Sequence, residues 1–227
     1  MYDVVLLTDS RYLKDQYPDQ YSMNVITEDK YVQDALNSLG LKTWKTNWDN
    51  PDFDWSETKY ILFRTTWDYF ERFEEFTGWL ETVSAKTKMI NPYSLIKWSL
   101  DKHYLGALKE RGADIVPTVY VEAGDPRSLQ ECIVETGWNK VVIKPTFAAA
   151  ARHTYKIDLQ NAEEHEKIFT ELISSESMMI QPYIESIVSK GEVSHMIMGG
   201  EYTHSILKKA KKGDFRVQDD FGGTVHD

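Results

Sequence analysis

The chain has 227 residues, of which 41% are hydrophobic and 27% are charged, and its formal net charge is −10. Two lobes with packed cores fit this length, and the acidic balance excludes an extended nucleic-acid-binding face, which requires a broad basic surface. No segment approaches the roughly 18 consecutive apolar residues of a membrane span, and the first residues lack a signal-peptide pattern, so we expect a cytoplasmic protein. The single cysteine, Cys132, excludes an intrachain disulfide.

Residues 1–91 alternate apolar strands with amphipathic helices in the order strand, helix, strand, strand, helix, strand. The strands are predicted at 4–7, 41–46, 59–64 and 89–91, and the helices at 28–39 and 72–84. Continuous apolar runs of this kind are typical of strands that are buried on both faces. The pattern therefore predicts an α/β domain with a mostly parallel sheet.

The remainder of the chain predicts a second, α+β region. Helices are predicted at 99–111, from an Asp125 N-cap to Gly137, and at 161–174. Strands are predicted at 117–121, 141–144, 155–157, 178–184, 192–198 and 201–207, with the glycine pair 199–200 as a turn between the last two.

An ordered series of motifs runs through this second region. It comprises Asp101-Lys102, Gly112, Pro117-Thr118, Val141-Val142-Ile143-Lys144-Pro145, Ile180-Gln181-Pro182-Tyr183-Ile184 and Gly191-Glu192. The series resembles the ATP-grasp superfamily, in the branch that holds bacterial glutathione synthetase, the ribosomal-protein glutamate ligase and the cyclo-ligase of cycloserine biosynthesis. Segments 64–69 and 213–218, and the Gly222-Gly223 pair, are similar to the same branch.

The resemblance implies a domain organisation and an activity. Residues 1–91 are expected to form the pre-ATP-grasp domain, 92–180 the small lobe with its leading helix, and 181–227 the start of a large lobe that is truncated. The implied reaction activates a carboxylate with ATP as an acyl phosphate, which an amine or similar nucleophile attacks, releasing ADP and phosphate. The implied cofactors are ATP and Mg²⁺, and the implied partners are small carboxylate and amine substrates. The resemblance leaves open whether the protein forms a homo-oligomer.

The resemblance also assigns nucleotide-binding residues. Lys102 and Lys144 match the two lysines that grip the phosphates, and phosphoryl transfer requires such cations on rigid elements. The segment Gln181, Pro182, Tyr183 and Ile184 matches the hinge that holds the adenine, and Glu192 matches the acidic residue that accepts the ribose hydroxyls. The alternatives are solvated lysines, an ordinary edge strand and a surface glutamate.

Further residues are assigned to catalysis and to substrate binding. Lys208 matches a basic position that neutralises charge near the transferred phosphate, although it also fits a solvated basic run. Arg216 matches the segment that presents a guanidinium group to the acceptor or acyl phosphate. The substrate-binding candidates are Gln218, Gly222 and Gly223, together with Arg64, Trp67, Asp68 and Tyr69. The last four follow a strand at its carboxyl end, where open α/β sheets bind ligands, and a packed aromatic corner is the alternative.

Two features depart from the family pattern. Alanines occupy 148–151, where the family has serine and glycine, and alanine adopts positive φ poorly. These alanines are either native, with a different loop conformation, or substitutions or stand-ins for other side chains. No metal ligands are assigned within the chain, because the family carries them on strands expected beyond residue 227. Asp219, Asp220 and Asp227 have only the spacing of a loop.

Two functions of different classes follow. One is an ATP-dependent ligase that forms a C–N bond. The other is a non-catalytic nucleotide-binding module used for regulation or scaffolding, which the alanine loop favours. A plain sugar-binding or amino-acid-binding protein would leave the paired lysines unexplained.

Overall fold

The computed structural model describes residues 1–149 and 151–226, apart from the side chain of Asp220. The chain forms two compact units, Met1–Asp101 and Lys102–Asp227. Together they contain a parallel sheet, two antiparallel sheets and their helices, which confirms the expected combination of α/β and α+β architecture. The division lies at Asp101 instead of residue 91, and residue 180 falls within a strand, so the three-part domain organisation stays a prediction.

The first unit is built on a parallel sheet. Its strands are β1 (Tyr2–Thr8), β2 (Thr43–Asn47), β3 (Thr58–Thr65) and β4 (Lys88–Ile90), in the order β2-β1-β3-β4. All of the pairings are parallel. Val5 and Leu7 point to one face and Val4 and Leu6 to the other, and all four are buried. Both faces of β1 are therefore covered, as its apolar run predicts.

Three helices belong to this unit: α1 (Gln20–Ser38), α2 (Phe73–Ser84) and α3 (Tyr93–Leu100). The predicted start of α1 at residue 28 is wrong. The helix begins at Gln20 because the Asp19 carboxylate accepts a hydrogen bond from the Ser22 N–H at 2.7 Å, which caps the first turn. Phe76 and Leu80 of α2 pack into a core cluster against the sheet.

The second unit contains two antiparallel sheets. Their strands are β5 (Val119–Val121), β6 (Lys140–Pro145), β7 (Tyr155–Asp158), β8 (Met178–Pro182), β9 (Glu192–Met198), β10 (Glu201–Lys209) and β11 (Thr224–His226). The sheet orders are β5-β8-β6-β7 and β11-β10-β9. The predicted β6–β7 hairpin is confirmed, as is the β9–β10 hairpin with positive φ at Gly199 and Gly200. The sequence analysis did not predict strand β11.

The helices of this unit are α4 (Tyr104–Glu110), α5 (Leu129–Thr136), α6 (Ala162–Ile173) and α7 (Glu185–Ser189). The single helix predicted at 99–111 is wrong. Helix α3 ends at Leu100, Asp101 is extended, and α4 begins after His103. The Lys102 N–H donates to the Thr146 carbonyl at 3.0 Å, and this bond replaces a helical one. Strand β8 ends at Pro182, so the predicted strand at 178–184 is two residues too long, and helix α7 was not predicted.

The start of α5 differs from its predicted N-cap at Asp125. The Asp125 carboxylate accepts from the backbone and guanidinium of Arg127 instead. Ser128 caps the helix: its hydroxyl accepts from the Glu131 N–H at 3.2 Å, and the Glu131 carboxylate accepts from the Ser128 N–H at 2.8 Å. Two N–H groups without helical partners are thereby satisfied in a capping box.

Replacing Ser128 with alanine removes one side of this capping box. We expect the free energy of unfolding of the second unit to fall by about 1 kcal/mol, the typical cost of losing an N-cap. Urea unfolding followed by circular dichroism measures the change. Ser186→Ala, at an exposed helical serine, is the matched control, and an equal loss in both variants would contradict the capping role.

Candidate functional site

A cavity of about 430 Å³ lies in the second unit. Strands β6 and β8, the loop after β6 and the segment 215–218 contribute to its wall. The lining residues are Lys102, Val116, Val142, Lys144, Ala148, Ala149, Ala151, Thr154, Gln181, Pro182, Ile184, Ile187, Glu192, Phe215, Arg216, Val217 and Gln218. The structure thus gathers eight of the residues predicted from the sequence: Lys102, Lys144, Gln181, Pro182, Ile184, Glu192, Arg216 and Gln218.

The pairing of β6 with β8 builds the floor of this cavity. Val142 lies directly opposite Gln181 in the antiparallel register. Because side chains alternate between the faces of a strand, Val142 and Lys144 share one face, while Val141 and Ile143 point into the buried core. The alternation therefore separates the residues that line the cavity from those that stabilise the sheet.

Lys102 enters the cavity from the connection between α3 and α4. Its ammonium donates to the carbonyl oxygens of Thr146 and Ala148, and its own carbonyl accepts from the Tyr120 hydroxyl at 2.9 Å. The backbone bond from Lys102 to Thr146 adds a further tie. Lys102 is therefore held at the loop that follows β6, with its charge on the same cavity as Lys144.

Lys144 is half-buried at the end of β6. Burial lowers the pKa of its ammonium, because a charged group loses hydration there, and the nearby negative charge of Glu192 raises the pKa in part. Glu192 starts β9, directly opposite Lys208 of β10. Lys208 is half-buried, so it is more than a member of a solvated run, but it is not one of the described residues that line the cavity.

The loop after β6 contains the run of alanines. Ala148, Ala149 and Ala151 line the cavity, and Ala150 lies outside the described residues. Ala151 has a φ of 53°, a conformation that costs an alanine about 1–2 kcal/mol relative to the right-handed region. An ion pair between Arg152 and Glu176, with its two bonds at 2.8 and 2.9 Å, fastens the loop to the start of β8.

Tyr183 differs from its neighbours in the hinge. It lines an adjoining cavity of about 500 Å³ instead, with the Lys156 ammonium 4.3 Å from its ring centre. Phe215 contributes to both cavities and stands 6.1 Å from Tyr183, ring centre to ring centre. The Tyr183 N–H donates to the Lys140 carbonyl at 2.9 Å, which continues the β6–β8 pairing.

The segment that begins at Gly213 presents Arg216 to the cavity. The Asp214 carboxylate accepts three hydrogen bonds from this guanidinium, and these bonds hold the pKa of Asp214 well below its usual range. The Arg216 guanidinium carbon also stands 3.7 Å from the centre of the Phe221 ring. Arg216 is therefore preorganised, while its neighbour Gln218 lines the cavity from an exposed position.

The glycine pair that follows has a packing role. A Cβ at Gly223 would lie 2.0 Å from the Val217 carbonyl oxygen, so only glycine permits this approach. The Gly223 N–H donates to the Gln218 carbonyl at 3.0 Å. Neither Gly222 nor Gly223 is among the described residues that line the cavity, and Gly223 instead fixes the position of two that do.

The four candidates of the first unit follow β3. Arg64 is paired with Asp29 and Glu28, and Asp68 accepts from the Trp48 indole N–H at 2.8 Å. Tyr69 packs against the core cluster, and burial raises its pKa. Trp67 is exposed, with its ring edge against Tyr12. Most of this corner is thus engaged in internal packing, and its substrate role stays a prediction.

The sequence analysis did not assign several residues that line the cavity, among them Val116, Thr154, Ile187 and Phe215. Val142 was detectable, because it stands two positions before Lys144 on a strand and must share its face. The others come from loops and from a short helix, where no periodicity predicts the direction of a side chain.

The described residues contain no group of three or more His, Cys, Asp or Glu side chains that would hold a metal ion. The Asp220 side chain and Asp227 lie outside the described part of the chain, and the expectation of ligands beyond residue 227 stays a prediction. No helix within the described residues is both long and apolar enough to cross a membrane.

Comparisons with known proteins converge on one family. Residues 4–91 match the family model described as the N-terminal domain of D-cycloserine synthetase DcsG. The chain is 30% identical over 215 residues to the cycloserine biosynthesis protein DcsG of Streptomyces lavendulae, covering 92% of this chain and 67% of that protein. The crystal structure of D-cycloserine synthetase DcsG matches with a TM-score of 0.80 and 27% identity, over 99% of this chain and 74% of the other.

More distant structures share the fold. A RimK domain ATP-grasp protein from Sphaerobacter thermophilus has a TM-score of 0.64 at 14% identity, over 90% of this chain and 72% of that one. The D-alanine–D-alanine ligase of Bacillus anthracis has a TM-score of 0.56 at 13% identity, over 100% and 71%. Identities this low establish the architecture alone.

Substituting Gly223 with alanine tests the packing role of this residue. The added Cβ must displace the backbone at Val217, and overpacking of this kind costs about 1–3 kcal/mol. We expect faster amide hydrogen exchange in residues 213–223, measured by mass spectrometry. Gly106→Ala, where an added Cβ meets nothing within 4 Å, is the control. Unchanged exchange in the Gly223 variant would contradict this role.

Proposed function

This chain belongs to the DcsG family of ATP-grasp ligases, and we propose that it activates a carboxylate as an acyl phosphate and joins it to an amine. It is thus an ATP-grasp ligase that forms a C–N bond. The observation that carries the proposal is the convergence of Lys102 and Lys144, which come from separate segments, on one cavity. Two cations on a concave surface are what a triphosphate requires.

The lining residues support one proposed placement of the nucleotide. Lys102, Lys144 and the loop after β6 would hold the phosphates. The apolar side chains of Val116, Val142 and Ile184 would enclose the base. Glu192 would accept hydrogen bonds from the ribose hydroxyls, because an ionised carboxylate only accepts.

The proposed chemistry proceeds in two steps. A carboxylate oxygen of the substrate attacks the γ-phosphorus of ATP, and ADP leaves with the electron pair of the broken P–O bond. The amine nitrogen then attacks the acyl carbon, phosphate leaves with the electron pair of the C–O bond, and the nitrogen loses a proton. Arg216 would stabilise the negative charge of the transferred phosphoryl group, since Asp214 holds its guanidinium at the cavity. Lys208 lies opposite Glu192 in the β9–β10 pairing, and its role would be to orient the Glu192 carboxylate.

A small amino acid or a related compound is the substrate class that we propose. DcsG is named as a D-cycloserine synthetase and another structural neighbour as a D-alanine–D-alanine ligase, and both names refer to amino-acid-sized compounds. Gln218 and the corner at 64–69 are the proposed substrate contacts.

Hydroxylamine trapping tests the acyl phosphate. The protein is incubated with ATP, magnesium chloride and a panel of amino acids and dipeptides, and hydroxamate and free phosphate are measured. We expect both products with at least one carboxylate, and neither with Lys144→Met. Phosphate release without any trapped hydroxamate would contradict the intermediate.

Replacing Lys144 or Lys102 with methionine should weaken ATP binding by about 10- to 100-fold, because each removes a charge-assisted bond worth roughly 1.5–3 kcal/mol. Isothermal titration calorimetry measures the affinity. Lys140→Met is the matched control, since Lys140 lies on the same strand but is exposed and does not line the cavity. If the Lys144, Lys102 and Lys140 variants all bound ATP with equal affinity, the result would contradict the site assignment.

The affinity for ATP should depend on pH through Lys144. Burial lowers the pKa of this ammonium in the free protein, and the triphosphate charge raises it again in the complex. Affinity should thus be constant below the free-protein pKa and fall by up to about tenfold per pH unit above it. Lys144→Arg should remove this slope, because arginine stays protonated; the same slope in both proteins would contradict the assignment.

A further inference from the structure

A short chain of hydrogen bonds fixes the orientation of the Gln181 amide. The Thr118 hydroxyl donates to the Val116 carbonyl at 2.9 Å, and the Gln181 side-chain nitrogen stands 2.9 Å from the same hydroxyl oxygen. A hydroxyl group carries one proton, and Val116 receives it. Towards Gln181 the hydroxyl therefore only accepts, so the NH₂ end of the amide must face it.

The other end of the amide is then free to face the cavity. Gln181 is 9% exposed and lines the cavity at the position opposite Val142. Within the described residues its Oε1 accepts no hydrogen bond, and this atom is also absent from the buried side-chain atoms that lack a partner. Oε1 is thus an accessible acceptor, and the cavity is where the residue is accessible.

We propose that Thr118 is a positioning residue that locks Gln181 with its carbonyl oxygen towards the base, and that this lock selects a 6-amino purine over a 6-oxo purine. The inference rests on the proposed nucleotide site. An adenine amino group donates to Oε1. The 6-oxo oxygen of hypoxanthine or guanine is an acceptor, so it would face Oε1 with no proton to form a hydrogen bond between the two oxygens. An unlocked amide would rotate and donate to the 6-oxo group instead, so discrimination depends on Thr118 as well as on Gln181.

The test compares the binding of ATP and inosine triphosphate, which differ at position 6 and in the N1 proton. We expect the protein to prefer ATP by about 10- to 100-fold, the range for a site that leaves a polar group unpaired with the wrong ligand. Thr118→Val removes the lock with little change of shape, and the preference should fall to within about threefold, mainly through tighter inosine triphosphate binding. Thr118→Ser keeps the hydroxyl and should keep the preference.

Gln181→Leu provides a second measurement that does not depend on the fold of the threonine variant. It should lose the preference through weaker ATP binding, with inosine triphosphate unchanged. An ATP preference retained in Thr118→Val overturns the lock while leaving the nucleotide site in place. Failure of the unmodified protein to bind any nucleotide overturns both the lock and the proposed function.

Discussion

The antiparallel pairing of β6 with β8 is the constraint on which the candidate site depends. Its register places Val142 opposite Gln181 and sets Lys144 on the same face. A slip of one residue would turn Lys144 into the core and expose Ile143, which is fully buried. The burial of the Val141 and Ile143 side chains therefore stabilises the register and also aims the lysine at the cavity.

The remaining parts of the site are tied to this pair of strands by polar contacts. Lys102 is held by backbone and side-chain bonds to the Thr146 loop, and Arg152 fastens that loop to Glu176. Arg216 is oriented by Asp214, on a segment that Gly223 packs closely. Lys102, Arg152 and Arg216 thus each have an internal partner that limits the freedom of the side chain, which reduces the ordering entropy lost when a charged ligand binds.

The two units differ in how buried side chains are divided from side chains that are accessible to a ligand. In the second unit one face of β6 is core and the other is cavity. In the first unit, Arg64, Asp68 and Tyr69 lie at the end of a buried strand and are paired or packed, whereas Trp67 is 38% exposed. The end of a parallel strand is a favourable place for a ligand, yet polar residues there also stabilise the turn itself. Position at a strand end does not separate these two roles.

The sequence by itself determined those helices and strands that show a hydrophobic period along their own residues. The parallel sheet and the β6–β7 and β9–β10 hairpins were predicted, because alternation and apolar runs reflect which side of an element is buried. The motif lysines were predicted from the resemblance to a family instead. The tertiary structure alone decided the break between α3 and α4, where the Lys102 N–H bonds to Thr146 rather than within a helix. It also decided the direction of Tyr183 and the orientation of the Gln181 amide. These features depend on partners distant in sequence, and no local pattern encodes such contacts.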